Sequence, residues 1–201
     1  MKKIKIFVAC DTSNINHVKK IIEQTKSKKL QIIPKFGLQF FYSRKGRKFL
    51  EYFDKEFFLD LKINDIKQTA ISAVDSLKDL KKCRYITVHA NGGLEMLKAV
   101  KKKAIETNKN LKVLGVTVLT SLNNQSLKEI GHTRRVEQLV LKQAGLIKKA
   151  GLHGIVLSAK EVKLVKKKYN NLFIVTPGIR LPGDRTDDQA RVVTPYDALK
   201  I

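Results

Sequence analysis

Tryptophan is absent from this 201-residue chain, and cysteine and proline are scarce, with two and four residues. Cys10 and Cys83 cannot build a disulfide framework and lack a zinc-ligand spacing, so a reducing, cytoplasmic location is expected. No apolar run approaches the roughly 18 residues of a membrane span, and no membrane partner is expected. The opening MKKIKIFVACD runs from a short apolar stretch straight into an acid, with no small-residue cleavage pattern, and reads as a first strand rather than a signal peptide. Acids are outnumbered: 18 Asp+Glu face 41 Lys+Arg, a formal net charge of +23. With 43% hydrophobic and 29% charged residues, the chain is neither a disordered tail nor a fibrous repeat.

The positive charge does not by itself name a partner. Of the basic residues 33 are Lys and 8 are Arg, spread along the whole length in runs such as 28–29, 101–103 and 166–168. A nucleic-acid interface would favour Arg and interleave aromatics. No recognition motif is present, and solvated helix faces account for the runs, so no nucleic-acid partner is expected. A basic nucleic-acid-binding domain is the alternative from another functional class, to be recognised by a steep salt dependence. The field would still draw in an anionic small molecule.

Apolar segments alternate in type. Strand-like runs occur at 4–9, 30–34, 56–61, 84–89, 111–119, 154–158 and 172–176, nearly continuous in apolar character as in strands buried on both faces. Helical-period segments lie between them at 14–29, 65–80, 92–108, 133–149 and 159–169. Such alternation predicts parallel βα units, and with no linker or composition break a single domain over 1–201. Nearly every strand ends in a residue capable of chemistry or a tight turn: Asp11, Lys35 before Gly37, Asp60 and Lys62, His89, Thr120-Ser121, Ser158, and Thr176-Pro177-Gly178. That even distribution favours a (β/α)8 TIM barrel, whose strand ends converge on one mouth, over an open doubly wound sheet. Seven strands are visible; the final VVTPYDALKI reads as a helix start.

FLDLKINDIKQT (58–69) concentrates the chemistry. Asp60 and Lys62 are two apart on a strand and are expected on one face. Asp65 follows where the chain turns into a helix, so an acid, a base and a second acid are expected at one strand mouth. Charges on an otherwise apolar strand persist when paired or functional. Lys35 would add a second ammonium, giving an alternating Lys–Asp–Lys–Asp array. His89 reads as a hydrogen-bonded mouth residue and Cys10 as a packed thiol. Asp184, Asp187 and Asp188, beside Gly183, read as solvated acids of a loop rather than as a metal site.

These segments, with VACD (8–11), PKFG (34–37), TVHANGG (87–93), VTVLTS (116–121), GIVLSAKE (154–161) and VTPGIRLPGD…DQARVVTP (175–195), resemble the orotidine 5'-phosphate decarboxylase family over essentially the whole chain. The resemblance implies decarboxylation of orotidine 5'-phosphate to UMP, the last step of pyrimidine biosynthesis, with no metal and no other cofactor. It implies that Asp11 binds a ribose hydroxyl, that Lys35 contacts the ribose and the array, that Asp60 orients Lys62, and that Lys62 protonates C6 as carbon dioxide leaves. It places Asp65, Ile66 and Thr69 in the partner's site of a homodimer, Thr120 and Ser121 at the pyrimidine edge, Pro177 and Gly178 along the substrate, and Arg180 and Gln189 on the 5'-phosphate.

Two features depart from the family pattern. Lys67 stands where a small residue or proline is usual. The family continues past the T-P-x-x-A-L helix into an eighth strand and a Gly-Arg turn that do not occur in these 201 residues, so the barrel is expected to be incomplete at its C-terminal side, as in a truncated product. An inactive remnant is therefore one alternative. A hexulose-phosphate-synthase-like aldolase is another, although it would want an acid for magnesium where this chain has Lys35.

Overall fold

The structure, a computed structural model, describes residues 4–181, 183 and 192–200. Seven parallel strands lie in sequential order: β1 (Lys5–Ala9), β2 (Gln31–Gly37), β3 (Phe57–Ile63), β4 (Cys83–His89), β5 (Lys112–Val116), β6 (Gly154–Val156) and β7 (Phe173–Val175). Neighbouring strands stand about 4.8 Å apart, so a flat sheet would hold β1 and β4 about 14 Å apart. Instead the rings of Phe7 on β1 and Tyr85 on β4 are 5.2 Å apart, and Lys5 Nζ of β1 lies 5.8 Å from the ring centroid of Phe173 on β7. The sheet therefore curls into an open barrel. Among the described residues β1 and β7 share no ladder, so a seam separates them.

Helices cover the outside. They are α1 (Ile15–Gln24), α2 (Leu38–Tyr42), α3 (Arg44–Glu51), α4 (Lys67–Asp75), α5 (Gly93–Thr107), α6 (Asn124–Glu129), α7 (Val136–Ala150), α8 (Val162–Lys168) and α9 (Pro195–Lys200). The seven strands and five helical segments expected from the sequence each correspond to an element, mostly with shorter bounds. The stretch 111–119 is strand only to Val116, and β3 extends beyond 61 to Ile63. Asn14 starts α1 by accepting the His17 N–H, and Gly151, at φ +68°, ends α7 in the left-handed conformation that favours glycine. On α7 the buried positions Val136, Leu139, Val140, Ala144 and Ile147 recur at helical spacing and face the sheet.

Helices α2, α3 and α6 have no counterpart in the sequence expectations. The crossover from β2 to β3 is split by Ser43, whose Oγ accepts the Gly46 N–H to start α3, so neither short helix shows a full period. Phenylalanines hold it instead: Phe36 and Phe40 stack at 4.7 Å, and Phe49, Phe53 and Phe57 meet Phe36 edge-on at 6.5, 6.0 and 5.8 Å.

Two residues on each inward face decide where chemistry can occur. Phe7, Ile33, Phe58, Tyr85, Leu114, Val156 and Phe173 pack together as a floor inside the barrel. Two residues further along the chain from each come Ala9, Lys35, Asp60, Thr87, Val116, Ser158 and Val175. On β2, β3 and β4 this second layer is polar, and it sits directly above an apolar floor.

Close approach between β6 and β7 depends on Gly154, where an added Cβ would lie 2.3 Å from the Phe173 carbonyl oxygen. Gly154→Ala is expected to lower unfolding free energy by about 1–3 kcal/mol, the usual cost of overpacking. Urea denaturation followed by circular dichroism measures it, and an unchanged midpoint would contradict the close packing.

Candidate active site

The mouth layer holds a chain of alternating charge. Lys35 Nζ lies 3.7 Å from Asp11 Oδ1 and 3.7 Å from Asp60 Oδ2, and Lys62 Nζ is hydrogen-bonded to the same Asp60 Oδ2 at 2.8 Å. The side chains of Asp60 and Lys35 are 15% and 20% exposed, whereas that of Asp11 is 59% exposed at the rim. Gly37 makes room there: a Cβ on it would stand 3.1 Å from Asp11 Oδ1. Burial pushes the Asp60 carboxyl upward, but Lys62, Lys35 and the hydrogen bonds from Lys62 and Thr87 outweigh it and hold the group below its ordinary value.

Asp60 and Lys62 do not meet through a regular pleat. Leu59 pairs with Ile86 and Ile63 with Val88, so β3 spends four residues where β4 spends two. The surplus arches out as a bulge, and Lys62 takes φ +50°, a left-handed backbone rarely adopted by a residue with a side chain. Strained backbone of this kind is characteristic of functional sites. The freed Lys62 N–H donates to Thr87 Oγ1 at 2.8 Å, and the Thr87 hydroxyl donates to Asp60 Oδ1 at 2.9 Å. Thr87 was not among the sequence candidates. The available signal was its place two residues after the floor residue Tyr85 on an inward face.

Asp65 does not join the array within one chain. It is exposed, its Oδ1 accepts the Ile66 N–H at 2.7 Å, and among the described residues it makes no ion pair. Within one chain the fourth member of the array is Asp11, because the chain turns outward after Ile63 and carries residues 64–69, Thr69 included, into exposed positions. His89 is buried at the mouth, and its Nδ1 accepts the Asn91 N–H. Burial, then the Lys62 charge, hold it below the ordinary imidazole value, so it is neutral at pH 7. Burial and then Asp11 push the Cys10 thiol up to about 11, an inert packed group.

Thr120 and Ser121 occupy the turn after β5, half-buried and exposed respectively. Pro177 and Gly178 follow β7, with Gly178 at φ +75°. Arg180 is half-buried, and its backbone is fixed by a bridge in which Arg180 N–H donates to the Val193 carbonyl. Gln189, with Asp184, Asp187 and Asp188, lies outside the described residues. Among the described residues no cluster of three or more His, Cys, Asp or Glu is placed to hold a metal, and no helix is long and apolar enough to cross a membrane.

The family described as "Orotidine 5'-phosphate decarboxylase / HUMPS family" matches residues 5–201. The chain belongs to this family. It is 40% identical to the orotidine 5'-phosphate decarboxylase of Carboxydothermus hydrogenoformans over 98% of this chain and 84% of that protein. It is 37% identical to that of Erythrobacter litoralis, over 96% of this chain and 84% of the relative. The crystal structure of the Lactobacillus acidophilus enzyme superposes with a TM-score of 0.81 at 29% identity, covering 98% of this chain and 86% of that one. The open seven-stranded barrel is thus the family's TIM-barrel-like fold.

Three perturbed groups, Asp60 and His89 at the mouth and His153 just before β6, make the protein acid-sensitive. The folded Asp60 value is lowered, so its contribution is present above about pH 4 and is lost as pH falls through the folded value. His89 and His153 are also lowered, both by burial first, so the unfolded chain takes up protons below about pH 6.5 that the folded chain resists. The urea midpoint should therefore fall between pH 7 and pH 5. His89→Gln and His153→Gln should each flatten that slope, and an unaltered slope in both would refute the assignment.

Proposed function

We infer that this protein decarboxylates orotidine 5'-phosphate to UMP without a cofactor, with Lys62 as the proton donor. The observation that carries the reading is the Asp11–Lys35–Asp60–Lys62 chain of alternating charge at the barrel mouth of a family member. Breaking the bond from C6 to the carboxylate releases carbon dioxide and leaves the electron pair on C6, where no adjacent carbonyl delocalises it. An ammonium fixed beforehand beside that carbon stabilises charge that develops only in the transition state. Lys62 then gives a proton to C6 and regains one from solvent. Asp60 orients Lys62, Asp11 and Lys35 hold the ribose, Thr120 and Ser121 meet the pyrimidine edge, Pro177 and Gly178 line the substrate, and Arg180 with Gln189 grips the phosphate. Lys35 opposes the aldolase reading, since it sets an ammonium between Asp11 and Asp60.

The functional unit in this reading is a homodimer in which each chain contributes one barrel domain, and Asp65, Ile66 and Thr69 complete the partner's site. Two observations support it. Ile66 is 73% exposed beside an acid with no ion pair of its own among the described residues. The mouth also carries a cavity of about 340 Å³, where Leu119, Leu122, Leu127 and Ile130 stand among the polar Lys62 and His89, with room for an isoleucine side chain. A two-fold axis would exchange the two features reciprocally. The two buried free thiols fit a cytoplasmic location.

Purified protein mixed with orotidine 5'-phosphate should show the ultraviolet change of decarboxylation, undiminished by EDTA. Lys62→Ala should lower kcat at least about 100-fold, the smaller end of what a general acid contributes. No turnover by folded wild-type protein would overturn the reading. Equimolar mixing of inactive Lys62→Ala and Asp65→Ala chains should restore about a quarter of wild-type activity, because half the dimers then hold one intact site. No recovery despite subunit exchange would refute the shared site.

A further inference from the structure

We propose that Thr87 is the positioning residue that fixes both the Asp60 carboxylate and the Lys62 backbone, so that the proton donor is held by three adjacent strands. The inference rests on the reading of Lys62 as proton donor and deepens it.

Thr87 is 0% exposed and stands on β4 opposite the two surplus residues of β3. Packing alone would be served by valine, which has the same shape, and an unpaired buried hydroxyl is costly. Here the hydroxyl is used twice. A threonine hydroxyl has one proton to donate and lone pairs to accept with. Its proton goes to Asp60 Oδ1 at 2.9 Å, and it accepts the Lys62 N–H at 2.8 Å. The first bond fixes the rotation of the carboxylate: with Oδ1 held by Thr87, Oδ2 turns toward both ammonium groups, Lys62 at 2.8 Å and Lys35 at 3.7 Å. The second gives the Lys62 N–H a partner inside the bulge, at the residue with φ +50°. A single side chain thus sets the two ends of the Asp60–Lys62 pair, the carboxylate at one end and the Lys62 main chain at the other.

The groups facing Asp60 are Lys35 from β2, Lys62 from its own strand and Thr87 from β4, with Asp11 beyond Lys35 and His89 beyond Lys62. Removing the hydroxyl takes away a hydrogen bond to the ionised carboxylate, so Asp60 should titrate at higher pH.

The test compares wild type, Thr87→Val and Thr87→Ser by steady-state kinetics and by carbon NMR titration of the Asp60 carboxyl in ligand-free protein. Thr87→Val should lower kcat about 10- to 100-fold, as expected for loss of a hydrogen bond to a charged group. Its KM should stay within about threefold, because the array acts on the transition state rather than on ground-state binding. Its Asp60 titration should move to higher pH, while Thr87→Ser should restore both kcat and titration. Wild-type kcat and titration in Thr87→Val, or equal damage from Ser and Val, would overturn the proposal. Should the wild-type protein fail to turn over orotidine 5'-phosphate, the functional reading fails while the titration still decides the role of Thr87. If Thr87→Val does not fold, Thr87→Ala gives the same two readouts.

Discussion

The Asp60 carboxylate, its side chain 15% exposed and shared between two ammonium groups, constrains the architecture around it. Taking a carboxylate out of water costs several kcal/mol, and a buried charge left without a partner would neutralise instead. Asp60 stays ionised because Lys35, Lys62 and Thr87 all reach it, one from each of three neighbouring strands. That requires the three strands to keep register, and it accounts for otherwise odd details. Gly37 pairs with Asp60 across β2 and β3, and the missing side chain leaves space for Asp11 at the rim. The bulge in β3 brings Lys62 back onto the same carboxylate that its own strand supplies.

Beneath this layer the barrel is filled by aromatic rings. Phe7, Phe58 and Tyr85 meet edge-on at 5.0 to 5.9 Å, and Phe173 stacks on Tyr85 at 6.1 Å. Rings of this kind contribute packing energy and exclude water from below. A dry floor lowers the local dielectric response, which strengthens the ion pairs and raises the cost of leaving any of them incomplete. Floor and array are therefore one design on β2, β3 and β4, an apolar residue followed two positions later by a polar one.

Sequence reasoning reached the parts of this arrangement that repeat. The strands carry continuous apolar character because both faces are buried, and α5 and α7 are long enough to show a period. Helices α2 and α3 were illegible because Ser43 divides the crossover into five- and eight-residue pieces whose phenylalanines face one another rather than the sheet alone. In the site, Asp60, Lys62 and Lys35 stood out as charges on apolar strands. Thr87 did not, since threonine is an ordinary strand residue and its importance comes from a bulge in a different strand. Asp65 is close to the array in sequence, but within one chain the turn after Ile63 carries it outward. Neither the bulge nor the turn has a periodic signature, because each is a single local departure from the repeat.

The net charge of +23 can be weighed against this geometry. The four-member array is neutral by itself, two acids against two lysines, so any field drawing an anionic substrate comes from elsewhere. In a βα barrel the helices run antiparallel to the strands, which puts helix C-termini at the end opposite the mouth. Lys148 and Lys149 close α7 there, and Lys166, Lys167 and Lys168 close α8. Cations at helix C-termini are favourable by about 0.3–1 kcal/mol each through the helix dipole. At physiological salt the Debye length is about 8 Å, far less than the distance from one end of a barrel to the other. These lysines therefore stabilise their own helices and do little for capture at the mouth. Attraction of an anion is left to Arg180, which stands after β7 outside the neutral array, and to geometry rather than total charge.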